Sequence, residues 1–278
     1  MSHTCFEVEV TDAIAHVRMV RPEKRNSMIP EFWSELPSIV GDLDDSGDAR
    51  VLVLSSTGPH FTAGMDLAVF GDGSGDETPR AARAAQLYDT ILMLQRTFSC
   101  LEQCRMPVLA AVQGGCIGGG VDLVTACDLR YATEDAFFCV QEINIGMTAD
   151  VGTFPRLAKV IPDGIARELA YTGRRMPAAR AREVGLVNEV YADADAMLTG
   201  VMETAAEIAF KAPLAVYGSK RMLNYARDHA TADALDYIGV WNAAMFSPTE
   251  MAEAFAAKQQ GRAAAFTALP ARKRKIGI

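Results

Sequence analysis

Two short apolar runs, Val51-Leu-Val-Leu54 and Pro107-Val-Leu-Ala-Ala-Val112, constrain this chain more than any other feature. A strand that alternates apolar and polar residues needs one buried face, whereas a run apolar at every position must be covered on both. Strands of this kind sit in the middle of a layered α/β core. With 278 residues the chain is long enough for a large core of that type.

The order of elements along the chain narrows the architecture. Cys5-Phe-Glu-Val-Glu-Val10 and Ala13-Ile-Ala-His-Val-Arg-Met-Val20 alternate on either side of Thr11-Asp12, which predicts a hairpin at a sheet edge. A turn-rich loop, Arg21 to Ser27, precedes a predicted helix from about Pro30 to Leu43. Gly71-Asp-Gly-Ser-Gly-Asp-Glu-Thr-Pro79 reads as a flexible surface loop, and a long amphipathic helix is expected over about Arg80 to Cys104. After the second apolar run comes the glycine cluster Gly114-Gly-Cys-Ile-Gly-Gly-Gly120, then a helix to about Cys127, then strands at Leu129–Ala132 and Ala136–Val140. From Thr148 onward the pattern is almost wholly helical, with one strand-like break at Leu186–Val190. Strands therefore crowd the first half and helices the second, which favours an α/β core with a helical C-terminal part over an evenly alternating, doubly wound sheet. No internal repeat is visible in the sequence.

Charge and cysteine content exclude several function classes. Lys and Arg total 27 against 35 Asp and Glu, a net charge of −8 that is the opposite of a nucleic-acid binder's footprint. No window reaches the roughly 18 consecutive apolar residues of a membrane span, and the first residues carry no apolar signal core, so a cytoplasmic location is expected. Cysteines at 5, 100, 104, 116, 127 and 139 form no zinc-type pair and are expected as reduced, mostly buried thiols. The four histidines are scattered without a suitably spaced Ser or Cys, so neither a metal centre nor a Ser–His nucleophile is expected. The basic end, Arg272-Lys-Arg-Lys275, reads as a solvated tail.

Two loops suit backbone chemistry. Gly118-Gly119-Gly120 follows a buried strand and opens a helix, where glycines admit a ligand closely and the helix end offers free N–H groups. The same run also suits a tight strand-to-helix turn, and it matches neither nucleotide-binding glycine motif. Ala63-Gly64-Met65 follows the other buried strand and offers a second loop N–H. Two such groups converging on one oxygen stabilise an enolate. Three carboxylates stand near these loops: Asp122 just inside the helix, Glu142 in the uncharged window Phe137–Met147, and Asp150 at an apolar-flanked helix start. Each also has an ordinary reading, as a first-turn charge, a strand-end surface residue and an N-cap respectively.

At these residues the sequence resembles the enoyl-CoA hydratase/isomerase (crotonase) superfamily, from Arg21-Pro-Glu-Lys-Arg-Asn-Ser27 through Phe61-Thr-Ala-Gly-Met-Asp-Leu67 and the glycine loop to Thr172-Gly173 and Gly185-Leu-Val187. The resemblance implies an α/β spiral of β-β-α units over 1–192 and a helical trimerisation region over 193–278, with trimers or hexamers as the assembly. It implies an acyl-CoA thioester bound along Ala63, Gly64, Met65, Asp66, Leu67 and Gly119. By position the enolate donors fall on Met65 and Gly119. CoA is then part of the substrate, with no separate cofactor or metal.

Within the superfamily the likeness is stronger to the Δ3,5-Δ2,4-dienoyl-CoA isomerase branch. It lies in Gly114–Leu123, Cys127-Asp-Leu-Arg-Tyr131, Asp135-Ala-Phe-Phe138, Ala149-Asp-Val-Gly-Thr153, Gly218-Ser-Lys220, Tyr225–His229 and Leu235-Asp-Tyr237. That branch's catalytic carboxylates fall on Asp122, Glu142 and Asp150, and its reaction belongs to fatty-acid β-oxidation. Hydratases usually have Glu at the first position and Gly at the third, so Asp150 separates this chain from a 2-enoyl-CoA hydratase, the alternative. Asn144 and Thr148 depart from the commonest isomerase residues. A non-catalytic CoA- or RNA-binding relative is a third reading, opposed by the acidic charge and the intact acid set.

Overall fold

The computed structural model describes residues 3–66, 69 and 79–272. Strands β1 (Phe6–Thr11) and β2 (Ile14–Met19) form the expected hairpin at the edge of a six-stranded sheet. Asp12 and Ala13 turn it with φ of 51° and 62°, the left-handed geometry whose twist matches a two-residue hairpin. From β2 onward the sheet is parallel: β2 pairs β3 (Val51–Ser56), then β4 (Val108–Val112), β6 (Leu129–Thr133) and β9 (Glu189–Tyr191).

Both faces of this sheet are covered, which is why its central strands are apolar throughout. Ala15, Val17, Leu52, Leu54, Val108 and Ala110 share one core with Phe32 and Leu36 of α1 (Pro30–Ser46) and Phe98 and Leu101 of α2 (Arg80–Gln103). Val51, Val53, Leu109, Ala111 and Tyr131 share a second core with Met197, Val201 and Ala205 of α7 (Ala194–Ala209).

A second, three-stranded sheet has the order β5 (Gly115–Ile117), β7 (Phe137–Cys139) and β8 (Met176–Pro177). The chain therefore winds from β4 to β5 to α3 (Gly119–Thr125), and again from β6 to β7 to α4 (Thr153–Val160) and α5 (Asp163–Thr172). This is the expected β-β-α spiral. Two of its strands differ from the sequence expectation: β5 lies inside the glycine cluster that reads as a loop, and β8 is a two-residue strand before α6 (Ala178–Glu183).

The C-terminal part is helical, as expected, with α8 (Pro213–Asp228), α9 (Thr231–Met245) and α10 (Pro248–Gln260). Lys220 fastens α8 to the core. Its buried ammonium donates to the carbonyls of Leu101 and Met106 at 2.6 and 2.7 Å and pairs with Asp128 at 2.8 Å. By contrast α9 buries none of its residues, and Phe210, Leu235, Phe246 and Phe255 are each at least 60% exposed. Arg272, expected in a solvated tail, instead pairs with the buried Asp44 at 2.7 Å, because residues before it return over the end of α1. Lys273, Arg274 and Lys275, like most of the 71–79 loop, lie outside the described residues. All six cysteines are free and five are buried. Among the described residues no helix is long and apolar enough to cross a membrane.

Candidate active site

The strand hidden in the glycine cluster organises the site. β5 pairs with β7 on one side and with the loop after β3 on the other, where the Thr62 N–H donates to Gly115 O and the Ile117 N–H to Thr62 O. Thr62 also donates its hydroxyl to Asn26 O at 2.7 Å and accepts the Gly64 N–H, which locks the loop. The predicted Ala63-Gly64-Met65 segment is thereby laid against the start of α3.

Missing side chains set how close the two segments come. Gly64 has φ +84°, and a Cβ there would stand 2.6 Å from Ile117 O and 3.3 Å from Gly119 N. A Cβ on Gly119 would stand 3.0 Å from Met28 Sδ and 3.8 Å from Met65 N. Met65 N–H and Gly119 N–H are thus neighbours, and neither has an acceptor among the described residues. Of the other expected binding residues, Ala63 donates its N–H to Arg25 O at 2.9 Å and Asp66 accepts the Ser27 hydroxyl at 2.9 Å. Leu67 lies outside the described residues.

The three carboxylates gather at the same end of α3. Asp122, in its first turn, is 1% exposed, and its Oδ1 accepts the Thr153 N–H at 2.6 Å. Glu142 opens a short 3₁₀ helix (Glu142–Ile145) after β7. Its Oε1 lies 3.2 Å from where a Cβ on Gly118 would stand, and its Oε2 is buried without a hydrogen-bond partner. Asp150 sits in the loop before α4. It is not the N-cap of that helix: Gly152 holds that place, without a side-chain cap.

Burial and mutual repulsion keep protons on this group. Burial pushes Asp122 up to about 6, with the Thr153 hydrogen bond and the Arg156 charge opposing and Asp150 adding to the rise. Burial, then the charges of Asp122 and Asp150, push Glu142 up to about 7. Burial also raises Asp150. Acids that feel one another this way titrate as a set, and burial moves their proton affinities toward neutral pH. The site therefore joins two N–H donors, unpartnered among the described residues, to carboxylates whose proton affinity burial raises.

Sequence reasoning missed several residues that hold this arrangement, among them Thr153, Gln95 and Arg156. It also missed a contact elsewhere: the pairing of β2 with β3 brings His16 Nε2 within 2.7 Å of Ser55 Oγ. Burial, then Arg18, lower the His16 pKa. The residues are 39 apart in the chain, so no local spacing announces the pair. Among the described residues no group of three or more His, Cys, Asp or Glu is placed to hold a metal ion.

Residues 9–263 match the enoyl-CoA hydratase/isomerase family, and the chain belongs to it. An enoyl-CoA hydratase structure from Bacillus anthracis superposes with a TM-score of 0.84 at 27% identity, covering 95% of this chain and 99% of that one, so the fold is the crotonase fold. The mitochondrial Delta(3,5)-Delta(2,4)-dienoyl-CoA isomerase of Mus musculus is 43% identical over 94% of this chain and 81% of its own length. The peroxisomal protein of that name from Arabidopsis thaliana is 38% identical over 92% of this chain and 94% of its own.

Proposed function

We propose that this chain is a Δ3,5-Δ2,4-dienoyl-CoA isomerase. The observation that carries the reading is the third carboxylate: Asp150 lies in the loop that leads to Thr153, whose N–H donates to Asp122, and its charge raises both Asp122 and Glu142. Identities of 38–43% with relatives of that name support it.

Moving both double bonds of a 3,5-dienoyl thioester one position removes a proton at C2 and adds one at C6. Those carbons are four bonds apart, which one carboxylate does not span. Glu142, with a free buried oxygen, takes the C2 proton. The electron pair passes into the thioester carbonyl, whose oxygen becomes an enolate facing the Met65 and Gly119 N–H groups. Each such donor is worth roughly a hundredfold to a thousandfold in rate. The enolate charge extends along the diene to C6, where the Asp150 acid delivers a proton, leaving double bonds at C2 and C4. Asp122 tunes their affinities and returns the proton from Glu142 to Asp150. CoA enters as part of the substrate, and the steps use no metal or separate cofactor.

An ultraviolet assay with a 3,5-dienoyl-CoA, run beside hydration of a 2-enoyl-CoA, tests the reading. Formation of the 2,4-dienoyl product as the faster reaction supports it. Hydration as the faster reaction overturns it and makes the chain a hydratase.

The proposal extends to assembly. The apolar side chains exposed on α9 and α10, Leu235 and Phe255 among them, support a homotrimer or paired trimers. A sedimentation mass near that of one 30.0 kDa chain at micromolar concentration would overturn this. The named relatives are mitochondrial or peroxisomal, against the cytoplasmic location expected above, and fractionation of the source cells decides between them.

A further inference from the structure

We infer that a polar stripe on α2, made of Gln95, Ser99 and Glu102, positions the loop that carries Asp150. The inference rests on the role proposed above for Asp150.

Residues spaced i, i+4 and i+7 share one helix face. On α2 the core side is taken by Thr97, Phe98 and Leu101, and this flanking stripe meets residues 150–156. Gln95 Nε2 donates to the backbone carbonyl of Asp150 at 2.7 Å. Glu102 Oε2 accepts Arg156 Nε at 2.9 Å and Nη2 at 2.7 Å, and Ser99 Oγ accepts Nη2 at 3.1 Å. Arg156 in turn fills the space left by a missing side chain, since a Cβ on Gly152 would stand 1.8 Å from its Nη1.

The segment is thus fastened to one helix at both ends. Residues 147–150 have no regular secondary structure of their own, so their placement comes from these tethers. The third guard on the geometry is Arg227 of α8, which holds the other oxygen of Glu102 at 2.7 Å and keeps that carboxylate aimed at Arg156. Proton delivery to C6 depends on where the Asp150 carboxyl sits, and a displacement of about 1 Å can cost on the order of a hundredfold in rate. The stripe contacts backbone, Arg156 and Arg227 and none of the three carboxylates, so its members are positioning residues.

The test is the split between two partial reactions in Gln95→Met, which keeps length and helix preference but loses the donor. Exchange of the C2 proton with deuterated solvent needs Glu142 and the N–H pair; isomerisation needs Asp150 as well. Isomerisation kcat should fall on the order of tenfold, with exchange and KM near wild type. If Gln95→Met does not fold, Ser99→Ala carries the test, with the same split and a smaller loss. Exchange and isomerisation falling together, or neither changing, overturns the inference. Wild type and Asp150→Asn run alongside separate the two levels. If wild type does not isomerise, or Asp150→Asn isomerises normally, the role of Asp150 is wrong and the positioning claim falls with it. If Asp150→Asn shows the split and the α2 variants do not, only the positioning claim falls.

Discussion

Oδ1 of the buried Asp122 accepts the backbone N–H of Thr153 at 2.6 Å, so one hydrogen bond joins the helix after the glycine run to the helix after the Asp150 loop. The bond offsets only part of the cost of the charge, and burial still lifts Asp122 from 3.8 to about 6. For an acid raised on folding, the native state holds a proton the unfolded chain has lost. Stability from this group is present below the unfolded value and lost as pH rises through the folded one. Near pH 8 the ionised group should cost on the order of 3 kcal/mol. Asp122→Asn keeps the acceptor oxygen and deletes the charge. It should melt a few degrees higher than wild type at about pH 8, show no such gain at about pH 4, and isomerise more slowly. Melts at both pH values check this, and an equal or lower melting temperature at the higher pH contradicts it.

Gly64→Ala tests the N–H pair. The added Cβ meets Ile117 O at 2.6 Å at a φ of +84°, so the loop must move away from the start of α3. Met65 N–H and Gly119 N–H then no longer face one oxygen, and kcat should drop about a hundredfold. A folded variant that keeps wild-type turnover would remove this pair from the reaction.

The carboxylate set should shape the pH profile. In the proposed shuttle Glu142 must be ionised to take the C2 proton, and repulsion from Asp150, after burial and Asp122, is one reason its pKa stands at about 7. Removing that charge in Asp150→Asn lets Glu142 ionise at lower pH. The acid limb of C2 exchange should therefore move to lower pH in this variant. Exchange rates measured across pH decide it, and a limb that stays or moves up shows that Asp150 does not act on Glu142.

Lys220 is placed for stability rather than chemistry. Lys220→Ala leaves Asp128 and the carbonyls of Leu101 and Met106 without their shared ammonium. Breaking a buried pair by removing one partner costs about 3–5 kcal/mol. Urea unfolding should show a loss of that order, and a loss below about 1 kcal/mol would mean water replaces the ammonium.

Much of this architecture is legible in the sequence because burial writes itself into periodicity. β3 and β4 are apolar at successive positions since α1 and α2 cover one face and α7 the other. β5 is not legible: Gly115-Cys116-Ile117 is three residues inside a glycine-rich run, and it is a strand because Thr62 and β7 flank it. The positions of Asp122, Glu142 and Asp150 are legible, since each is a lone acid in apolar surroundings. Their supports are not. Gln95, Ser99 and Glu102 look like the solvated side of an amphipathic helix, and nothing local tells that residues about 55 positions further on lie against them.

The shuttle between Glu142 and Asp150 is tested most directly by following one reaction mixture for two products. Asp150→Asn, incubated with a 3,5-dienoyl-CoA in deuterated buffer, should exchange the C2 proton at a rate comparable to wild type while forming almost no 2,4-dienoyl-CoA. Glu142→Gln should do neither, because no other group stands ready to take that proton. Near wild-type isomerisation by Asp150→Asn would contradict the shuttle and return the site to the two-carboxylate chemistry of a hydratase.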